Sequence, residues 1–377
     1  MTTTVEDSEL FRSSVRAALS QLSPAAEVRR AMESPRGFDD RVWRRLSGEL
    51  GLAGLTLPEK VGGGGFTPAE LAIAFEEAGA SLLCAPLFAS AGLAVPLLTA
   101  LGDEAALTRF GPPIAGGELT ATVALAEDAG RWRTDDVRCA ATPVRSQWVL
   151  DGAKDYVVDG GSAGLILVVA QAGDGPGVFA VDGDAPGLER ERLVTLDPTR
   201  KQARLVLRGT PATRVGTGDA TAAIARATAV SRALLAAEQV GGAQHCLDLT
   251  VAYAKTRIQF GRPIGSFQAV KQRLAEMLVQ VESARSAAHA AASAAADPGD
   301  GGGDGLEHVA AVAALTCGEA YTWVTEQTIQ LHGGIGFTWE HDAHLYFKRA
   351  RSSALLLGSA SELTDLIGRQ LEAIIDA

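Results

Sequence analysis

Two segments in the C-terminal part of the chain combine residue types that suit a dinucleotide cofactor. The first, Y-A-K-T-R-I-Q-F-G-R-P-I-G-S-F-Q, supplies a guanidinium at Arg257 and a carboxamide at Gln268. Arginine presents a planar, permanently charged pair of donors to phosphate oxygens. The second, Q-L-H-G-G-I-G-F, begins with the amide of Gln330, and Gly333 and Gly334 let backbone N–H groups approach a pyrophosphate closely. Together the two segments predict a phosphate-containing dinucleotide site.

The pattern around these segments predicts long helices. Arg257 and Gln268 are eleven positions apart, and we expect them on one long helix. Apolar residues at helical spacing predict Ala-rich helices at Phe267–Ala296 and Leu306–Leu331, separated by the loop Asp297–Gly305. Long helices with short connections are typical of an antiparallel bundle.

The rest of the chain divides into a helical and a strand-rich part. Helical periodicity marks Asp7–Ser20, Phe38–Leu50 and Pro68–Gly79. From Leu119, short β-prone runs such as L-I-L-V-V-A alternate with Gly, Asp and Pro turns, as in a small barrel or sandwich. We therefore predict an N-terminal helical domain (1–118), a middle β domain (119–212) and a C-terminal bundle (213–377).

Composition and charge exclude several classes of protein. With 47% apolar residues the chain is globular, and a net charge of −11 argues against nucleic acid or an anionic membrane as the main partner. The uncharged stretch Leu82–Leu101 is interrupted by Pro86 and Pro96, which favours a pair of buried helices over a membrane span. The N-terminus has no signal-peptide pattern, so we expect a cytoplasmic protein.

Cysteines and histidines do not predict a metal site. The four cysteines are scattered without ligand spacing, which predicts buried free thiols in a reducing compartment. His332, His341, Asp342 and His344 lie close in sequence, but such groups are typical of a polar helix surface.

In their order and separation, the two C-terminal segments resemble those of the acyl-CoA dehydrogenase family. The resemblance extends to G-L-A-G-L-T-L-P-E-K-V-G-G-G-G-F at Gly51–Phe66 and to the glutamates Glu76 and Glu77. It implies an α+β fold with an N-terminal helical domain, a middle β-barrel or sandwich and a C-terminal four-helix bundle. It also implies FAD as cofactor, α,β-dehydrogenation of an acyl thioester carried by coenzyme A or an acyl carrier protein, and an electron-transferring flavoprotein as electron acceptor.

The resemblance assigns cofactor contacts to both halves of the chain. In the family, the residues that match Arg257, Phe260, Gln268, Gln330, Gly333 and Gly334 contact FAD, with the first segment reaching a neighbouring subunit. A dimer or tetramer follows from that assignment. The residues that match Leu125, Ala126, Val157 and Val158 lie along the flavin ring.

The β domain departs from the family at the flavin. The family's T-E-P-x-x-G-S-D is A-L-A-E-D-A-G-R-W here, so that Ala126 replaces a threonine, and its W-I-T-N is Y-V-V-D, so that Val158 replaces another. Each lost hydrogen bond costs about 1 kcal/mol, and backbone N–H groups remain to hold the ring. We therefore still predict FAD.

The catalytic base is absent from both places where the family carries it. Gly358 occupies the position of the C-terminal glutamate, and Ser231 occupies the alternative position on the first bundle helix. Glu238 lies seven residues after Ser231 in an apolar stretch, about 10 Å along the same helix face, and is the candidate for a relocated base. Glu362 is a further candidate.

Four interpretations follow from the missing glutamate. In the first, Glu238 acts as the base of a self-sufficient dehydrogenase. In the second, the chain is the FAD-binding subunit of a heteromer whose other subunit supplies the base. The third is a specialised-pathway flavoenzyme with different chemistry on a thioester. The fourth is a bundle protein that binds neither flavin nor thioester, which the retained cofactor segments disfavour.

Overall fold

The computed structural model describes residues 4–128, 130–145, 147–297 and 302–375. Helices precede and follow a run of strands. The α-helices are α1 (Val5–Leu22), α2 (Ala25–Glu33), α3 (Asp40–Arg44), α4 (Pro68–Ala80), α5 (Val95–Leu101), α6 (Glu104–Ala115), α7 (Thr221–Thr256), α8 (Gln268–Ala296), α9 (Gly302–His332), α10 (Ala343–Ser353) and α11 (Ala360–Ile375). π-Helical turns at Arg45–Glu49 and Phe88–Ala94 extend α3 and lead into α5.

Internal contacts divide the chain into two compact units. The helical unit comprises the residues up to Val28, Ala72–Leu83 and those from Arg232 on. The sheet unit comprises Arg29–Leu71 and Cys84–Ser231. Helix α7 contributes its first turns to the sheet unit and the remainder to the helical unit.

The sheet unit is built on a closed sheet. Its strands are β1 (Ala121–Ala124), β2 (Ala140–Val144), β3 (Gln147–Val158), β4 (Leu165–Ala172), β5 (Gly175–Asp182), β6 (Leu188–Arg192) and β7 (Gln202–Val215). They follow the order β1-β4-β2-β3-β7-β5, and β5 also pairs with β4, which closes the ring. Inward side chains of these strands, among them Leu150, Ile166 and Phe179, form one apolar core. The predicted barrel-like β domain between helical segments is confirmed.

Two strands escaped the sequence analysis because their composition is atypical. β2 contains Pro143 and is mostly exposed. β6 reads L-E-R-E-R and lies on the edge of β7 with mostly polar, half-exposed side chains. Both segments form strands because their backbones pair with a neighbouring strand, and the apolar periodicity of a sequence does not reveal such pairing.

The helical unit contains the predicted C-terminal bundle. Helix α9 packs against α8, α10 and α11, and its Thr328 hydroxyl contacts that of Thr250 on α7 at 3.1 Å. The prediction that Arg257 and Gln268 share one helix is wrong. Helix α7 ends at Thr256, and a two-stranded hairpin, β8 (Ile258–Gln259) and β9 (Arg262–Pro263), reverses the chain before α8 begins. Phe260 and Gly261 take positive φ angles of 53° and 76°, which a helix does not allow.

The predicted loop Asp297–Gly305 is shorter than expected. Helix α8 ends at Ala296, and α9 already begins at Gly302, so Gly302–Gly305 are helical despite their glycines. Residues 298–301 lie outside the described residues. The segment Leu82–Leu101 is buried as predicted, but it forms one continuous helical run from Phe88 to Leu101. The predicted pair of helices there is wrong.

Buried carboxylates join three helices of the helical unit. Glu76 and Glu77 on α4 are 7% and 5% exposed. Arg12 on α1 donates to Glu76 at 2.7 Å and Arg16 donates to Glu77 at 2.8 Å, while Arg285 on α8 also pairs with Glu76. The family-like glutamates therefore fasten α1 and α8 to α4.

Glycines allow α4 and α7 to approach within backbone contact. A Cβ at Gly241 would overlap the carbonyl oxygen of Glu76, and one at Gly79 would overlap that of Glu238. We expect Gly241→Ala to lower the free energy of unfolding by about 2–3 kcal/mol, because the two backbones must separate. The matched control is Gly318→Ala on α9, where the nearest atom to an added Cβ is 3.7 Å away. It should be neutral or stabilising by up to about 1 kcal/mol. Urea unfolding followed by circular dichroism measures both, and equal effects would contradict this account of the crossing.

Two further sequence predictions concern the state of the cysteines and the absence of a membrane-spanning helix. All four cysteines are free and buried, as predicted, and burial raises the pKa of Cys139 to about 11. Among the helices of the described residues, none is both long and apolar enough to cross a bilayer.

Candidate cofactor site and catalytic base positions

The helical unit brings the two C-terminal segments to one end of its bundle. The ring of Tyr253, one turn before Arg257, stacks on His332 with ring centres 4.4 Å apart. The Tyr253 hydroxyl also lies 3.4 Å from the His332 carbonyl oxygen. The end of α7 that precedes Arg257 therefore lies beside the end of α9 that precedes Gly333.

The hairpin after α7 presents Phe260 and Gln268 at the surface. Phe260 is 91% exposed at the hairpin tip, where its ring meets that of Phe267 edge-on at 6.1 Å. Gln268 is the first residue of α8 and is exposed. The Ile264 N–H donates to the Arg257 carbonyl at 2.9 Å, which fixes the hairpin against the end of α7. Arg257 is itself exposed, so its guanidinium can reach a ligand.

The glycine turn leaves backbone accessible where a phosphate would approach. Gly333 has φ of 63°, and a Cβ added to Gly333 or Gly334 would meet no atom within 4 Å. The Gln330 side chain is exposed one turn earlier. These glycines therefore open a surface cradle at the end of α9.

His332 has a structural partner within α9. Its Nδ1 lies 2.7 Å from the Thr328 carbonyl, to which it can donate a hydrogen bond, and burial lowers its pKa. Over the described ranges, no three His, Cys, Asp or Glu side chains are grouped so as to hold a metal ion.

The sheet unit brings its four predicted flavin-contact residues together. Leu125 and Ala126 follow β1, and Val157 and Val158 end β3. The Thr122 hydroxyl of β1 donates to the Val158 carbonyl at 2.6 Å, and the Asp155 N–H donates to the Ala126 carbonyl at 2.9 Å. All four side chains are buried and apolar, so only backbone can offer polar contacts here.

Sequence analysis missed a buried ion pair behind this segment. Lys154 is 0% exposed, and its Nζ donates to Glu127 Oε1 at 2.7 Å and to the Leu125 carbonyl at 3.0 Å. Burial lowers the pKa of Lys154. Burial alone would raise the pKa of Glu127, but Lys154 and the N–H groups of Cys139 and Arg138 hold it below its ordinary value. A lysine inside the period-2 pattern of β3 was the available signal.

Gly358, which the sequence resemblance aligns with the family's C-terminal glutamate, has a backbone conformation that disfavours any side chain. Gly358 has φ of 126°, which L-residues rarely adopt. The buried guanidinium of Arg232 holds the preceding carbonyl, of Leu357, at 2.9 Å. Its Nη2 would lie 3.4 Å from a Cβ at Gly358.

The alternative base position is closed by packing. Ser231 is 2% exposed, and its hydroxyl donates to the Gly92 carbonyl at 2.6 Å and also lies 2.8 Å from the Ala227 carbonyl. A longer carboxylate side chain at this place would displace the backbone at Gly92.

Glu238 is buried as predicted, but it has a strong partner. It is 5% exposed, and Arg349 on α10 donates to its Oε1 at 2.8 Å from a side chain that is itself 3% exposed. The Arg349 guanidinium therefore already occupies one oxygen of the carboxylate that would have to take a proton from a substrate. Glu362 is engaged in capping α11, where it accepts from the N–H and hydroxyl of Ser359 at 2.9 and 2.8 Å.

The residues present fit a dinucleotide of the FAD type. Each unit holds one predicted set. The helical unit has an exposed guanidinium, amides and open glycine backbone, and the sheet unit has buried apolar residues after β1 and at the end of β3. The first set has the chemistry of a pyrophosphate site. The second has that of a flat apolar ring site.

We expect Arg257→Met to weaken FAD binding by about 10- to 100-fold. Hydrogen bonds to a charged group contribute about 1.5–3 kcal/mol, and each 1.4 kcal/mol is a factor of about ten in affinity. The exposed Arg369 on α11 provides a matched control, Arg369→Met, that should bind like wild type. Fluorescence titration with FAD measures both, and wild-type affinity in Arg257→Met would remove Arg257 from the site.

Comparison with known proteins agrees with this fold. Residues 5–118 match the model of the acyl-CoA dehydrogenase N-terminal domain, and residues 220–372 match that of the C-terminal domain. The chain is 38% identical to the acyl-CoA dehydrogenase IpdE2 of Mycobacterium tuberculosis over 95% of both sequences.

Two solved structures extend the agreement. A variant of the Tcur3481–Tcur3483 steroid ACAD shares 32% identity with a TM-score of 0.87 over 99% of both chains. The ChsE4–ChsE5 complex of Mycobacterium tuberculosis shares 30% identity with a TM-score of 0.87, also over 99% of both chains. The resemblance found in the sequence is therefore confirmed, and the chain belongs to the acyl-CoA dehydrogenase family of FAD-dependent oxidoreductases.

Proposed function

We propose that this chain takes part in the α,β-dehydrogenation of an acyl-CoA as a subunit that contacts FAD, while an unlike subunit contributes the carboxylate that removes the α-proton. One observation carries the proposal. Gly358, Ser231 and Glu238 are each closed or occupied, by backbone conformation, packing and an ion pair respectively.

The reaction requires two groups that act on the substrate, a hydride acceptor and a base. FAD would supply the acceptor for the hydride from Cβ, and a carboxylate would have to remove the weakly acidic α-proton. This chain's residues hold the cofactor, Arg257 and Gln268 through polar side chains and Leu125 and Ala126 through backbone. Without a base, the proton transfer is left to solvent.

The relatives support an assembly of unlike subunits. The Tcur3481–Tcur3483 steroid ACAD and the ChsE4–ChsE5 complex are each named for two polypeptides. This chain is at least 30% identical to a subunit in each structure. We infer the same kind of partner here, and an electron-transferring flavoprotein as the acceptor of its electrons.

We propose a steroid-derived acyl group as the first candidate for the acyl group of the thioester substrate. The Tcur3481–Tcur3483 relative is a steroid ACAD. Acyl groups on an acyl carrier protein form the second class, and straight-chain acyl-CoA the third.

The proposal is tested by isolating the tagged chain from its native cells. We expect a yellow complex with an unlike polypeptide in equal amount, and mass spectrometry then shows whether that polypeptide carries a glutamate where this chain has Gly358 or Ser231. A colourless chain that takes up no FAD, alone or with any co-purified partner, would contradict the proposal. So would a pure homo-oligomer that reduces its own flavin with acyl-CoA.

An internal control is to isolate the Arg257→Met variant in the same way and to measure its flavin content. If Arg257 contacts FAD, the variant complex should be isolated with less flavin and unchanged polypeptide composition. Loss of the partner with full flavin content would instead place Arg257 in the subunit contact alone.

A further inference from the structure

A lysine that is 0% exposed in a β-domain core requires a physical reason. Burial of an ammonium costs several kcal/mol unless it is paired and hydrogen-bonded. Lys154 meets that condition through the Glu127 carboxylate and one backbone carbonyl, that of Leu125.

The ion pair determines the path of the chain on both sides of Ala126. Lys154 bonds the carbonyl of Leu125 and the side chain of Glu127, the residues directly before and after it. The next residue of β3, Asp155, donates its N–H to the Ala126 carbonyl at 2.9 Å. Three consecutive residues after β1 are therefore held by two consecutive residues of β3.

Glu127 carries the same restraint further along the chain. Its carboxylate accepts the N–H of Arg138 at 3.0 Å and that of Cys139 at 2.9 Å. The Glu127 carboxylate therefore links the two ends of the connection between β1 and β2, because Glu127 lies just after β1 and its partners lie just before β2. Replacement of Glu127 by an apolar residue would remove the acceptor of the N–H of buried Cys139.

The restraint has a functional meaning because the segment has no polar side chain for the flavin. Ala126 and Val158 carry no hydroxyl, so contact with the ring depends on where the backbone lies. Hydrogen bonds weaken steeply with misalignment, and small displacements of a backbone donor therefore reduce affinity.

We propose that Lys154, with Glu127, is a positioning residue that holds the Leu125–Ala126 backbone in the geometry that binds the FAD ring. The inference rests on the proposed flavin contact of Leu125 and Ala126. Lys154 acts from behind this backbone and does not touch the cofactor.

The test measures FAD affinity and apoprotein stability separately, on the full chain or on its complex with the unlike subunit. The variants are Lys154→Met, Glu127→Gln and the double variant. Glu127→Gln keeps the acceptor for Arg138 and Cys139 and leaves Lys154 free to bond Leu125. The control is Arg208→Met, which removes an exposed ion pair with Glu189 from the same sheet.

We expect Lys154→Met and the double variant to bind FAD about tenfold or more weakly, since the Leu125 carbonyl loses its donor. Glu127→Gln should weaken FAD binding less than Lys154→Met does, because Lys154 can still bond the Leu125 carbonyl, and the exposed-pair control Arg208→Met should stay within about threefold of wild type. The double variant, which buries no unpaired charge, should regain apoprotein stability relative to Lys154→Met without regaining affinity. The visible spectrum of the bound flavin should shift in the same two variants.

Three outcomes would overturn the inference. Lys154→Met or the double variant could bind FAD within about twofold of wild type, which removes the positioning role. Affinity could return together with stability in the double variant, which makes Lys154 purely structural. If Lys154→Met does not fold, the double variant decides between these outcomes. Failure of wild type to take up FAD under any condition would refute the proposed function as well.

Discussion

Arg349→Met should lower the free energy of unfolding by about 3–5 kcal/mol. Arg349 and Glu238 are 3% and 5% exposed and 2.8 Å apart, and the variant leaves a carboxylate buried without its partner. The Arg349 Nη2 also lies 3.4 Å from the Leu83 carbonyl, which loses that contact too. Urea unfolding of the apoprotein measures the effect.

Matched variants separate the buried charge from general damage. Arg45→Met removes an ion pair of 3.1 Å with Glu49 whose side chains are 48% and 64% exposed, and should cost less than about 0.5 kcal/mol. Replacing both members, as Arg349→Met with Glu238→Leu, should recover most of the loss because no charge remains buried. A cost below about 1 kcal/mol for Arg349→Met alone would mean that Glu238 is not held by Arg349. Its candidacy as a base would then strengthen.

The largest kinetic effect is expected from the proposed absence of a base in this chain. Flavin bound to this chain should be reduced by acyl-CoA about 10²- to 10⁴-fold more slowly in the chain alone than with the unlike subunit, the range that a general base contributes. Anaerobic mixing with a panel of acyl-CoAs, followed near 450 nm, measures this ratio. Within the complex, Glu238→Gln should leave the rate unchanged apart from any loss of folded protein.

Rapid bleaching of the flavin in the chain alone would contradict the proposal that an unlike subunit contributes the base. Rapid bleaching that Glu238→Gln abolishes would establish a self-sufficient dehydrogenase with a relocated base. Bound FAD that no acyl-CoA reduces in either sample would favour different flavin chemistry in a specialised pathway.

The sequence predicted the fold well where it depends on long periodic patterns and family motifs. The bundle helices and the strands of the barrel core follow from apolar periodicity that burial enforces. The hairpin between Arg257 and Gln268 was missed because a single positive-φ turn at Phe260 and Gly261 reverses the chain. Phe260 is not a residue type that predicts such a turn.

The site was less predictable because its decisive features are contacts between distant residues. The absence of carboxylates at Gly358 and Ser231 is visible in the sequence. The partner of Glu238 is not, since Arg349 lies 111 positions away on another helix. The Lys154–Glu127 pair likewise joins residues 27 positions apart, and only the tertiary packing of β3 near the end of β1 brings them together.

The most direct measurement is deuterium incorporation at Cα of the acyl-CoA in D₂O under anaerobic conditions, read by mass spectrometry. It reports proton removal whether or not the flavin is reduced. For the flavin-loaded chain alone we predict no exchange above buffer, and for its complex with the unlike subunit rapid exchange. Exchange catalysed by the chain alone and lost in Glu238→Gln would contradict the account and make Glu238 the base.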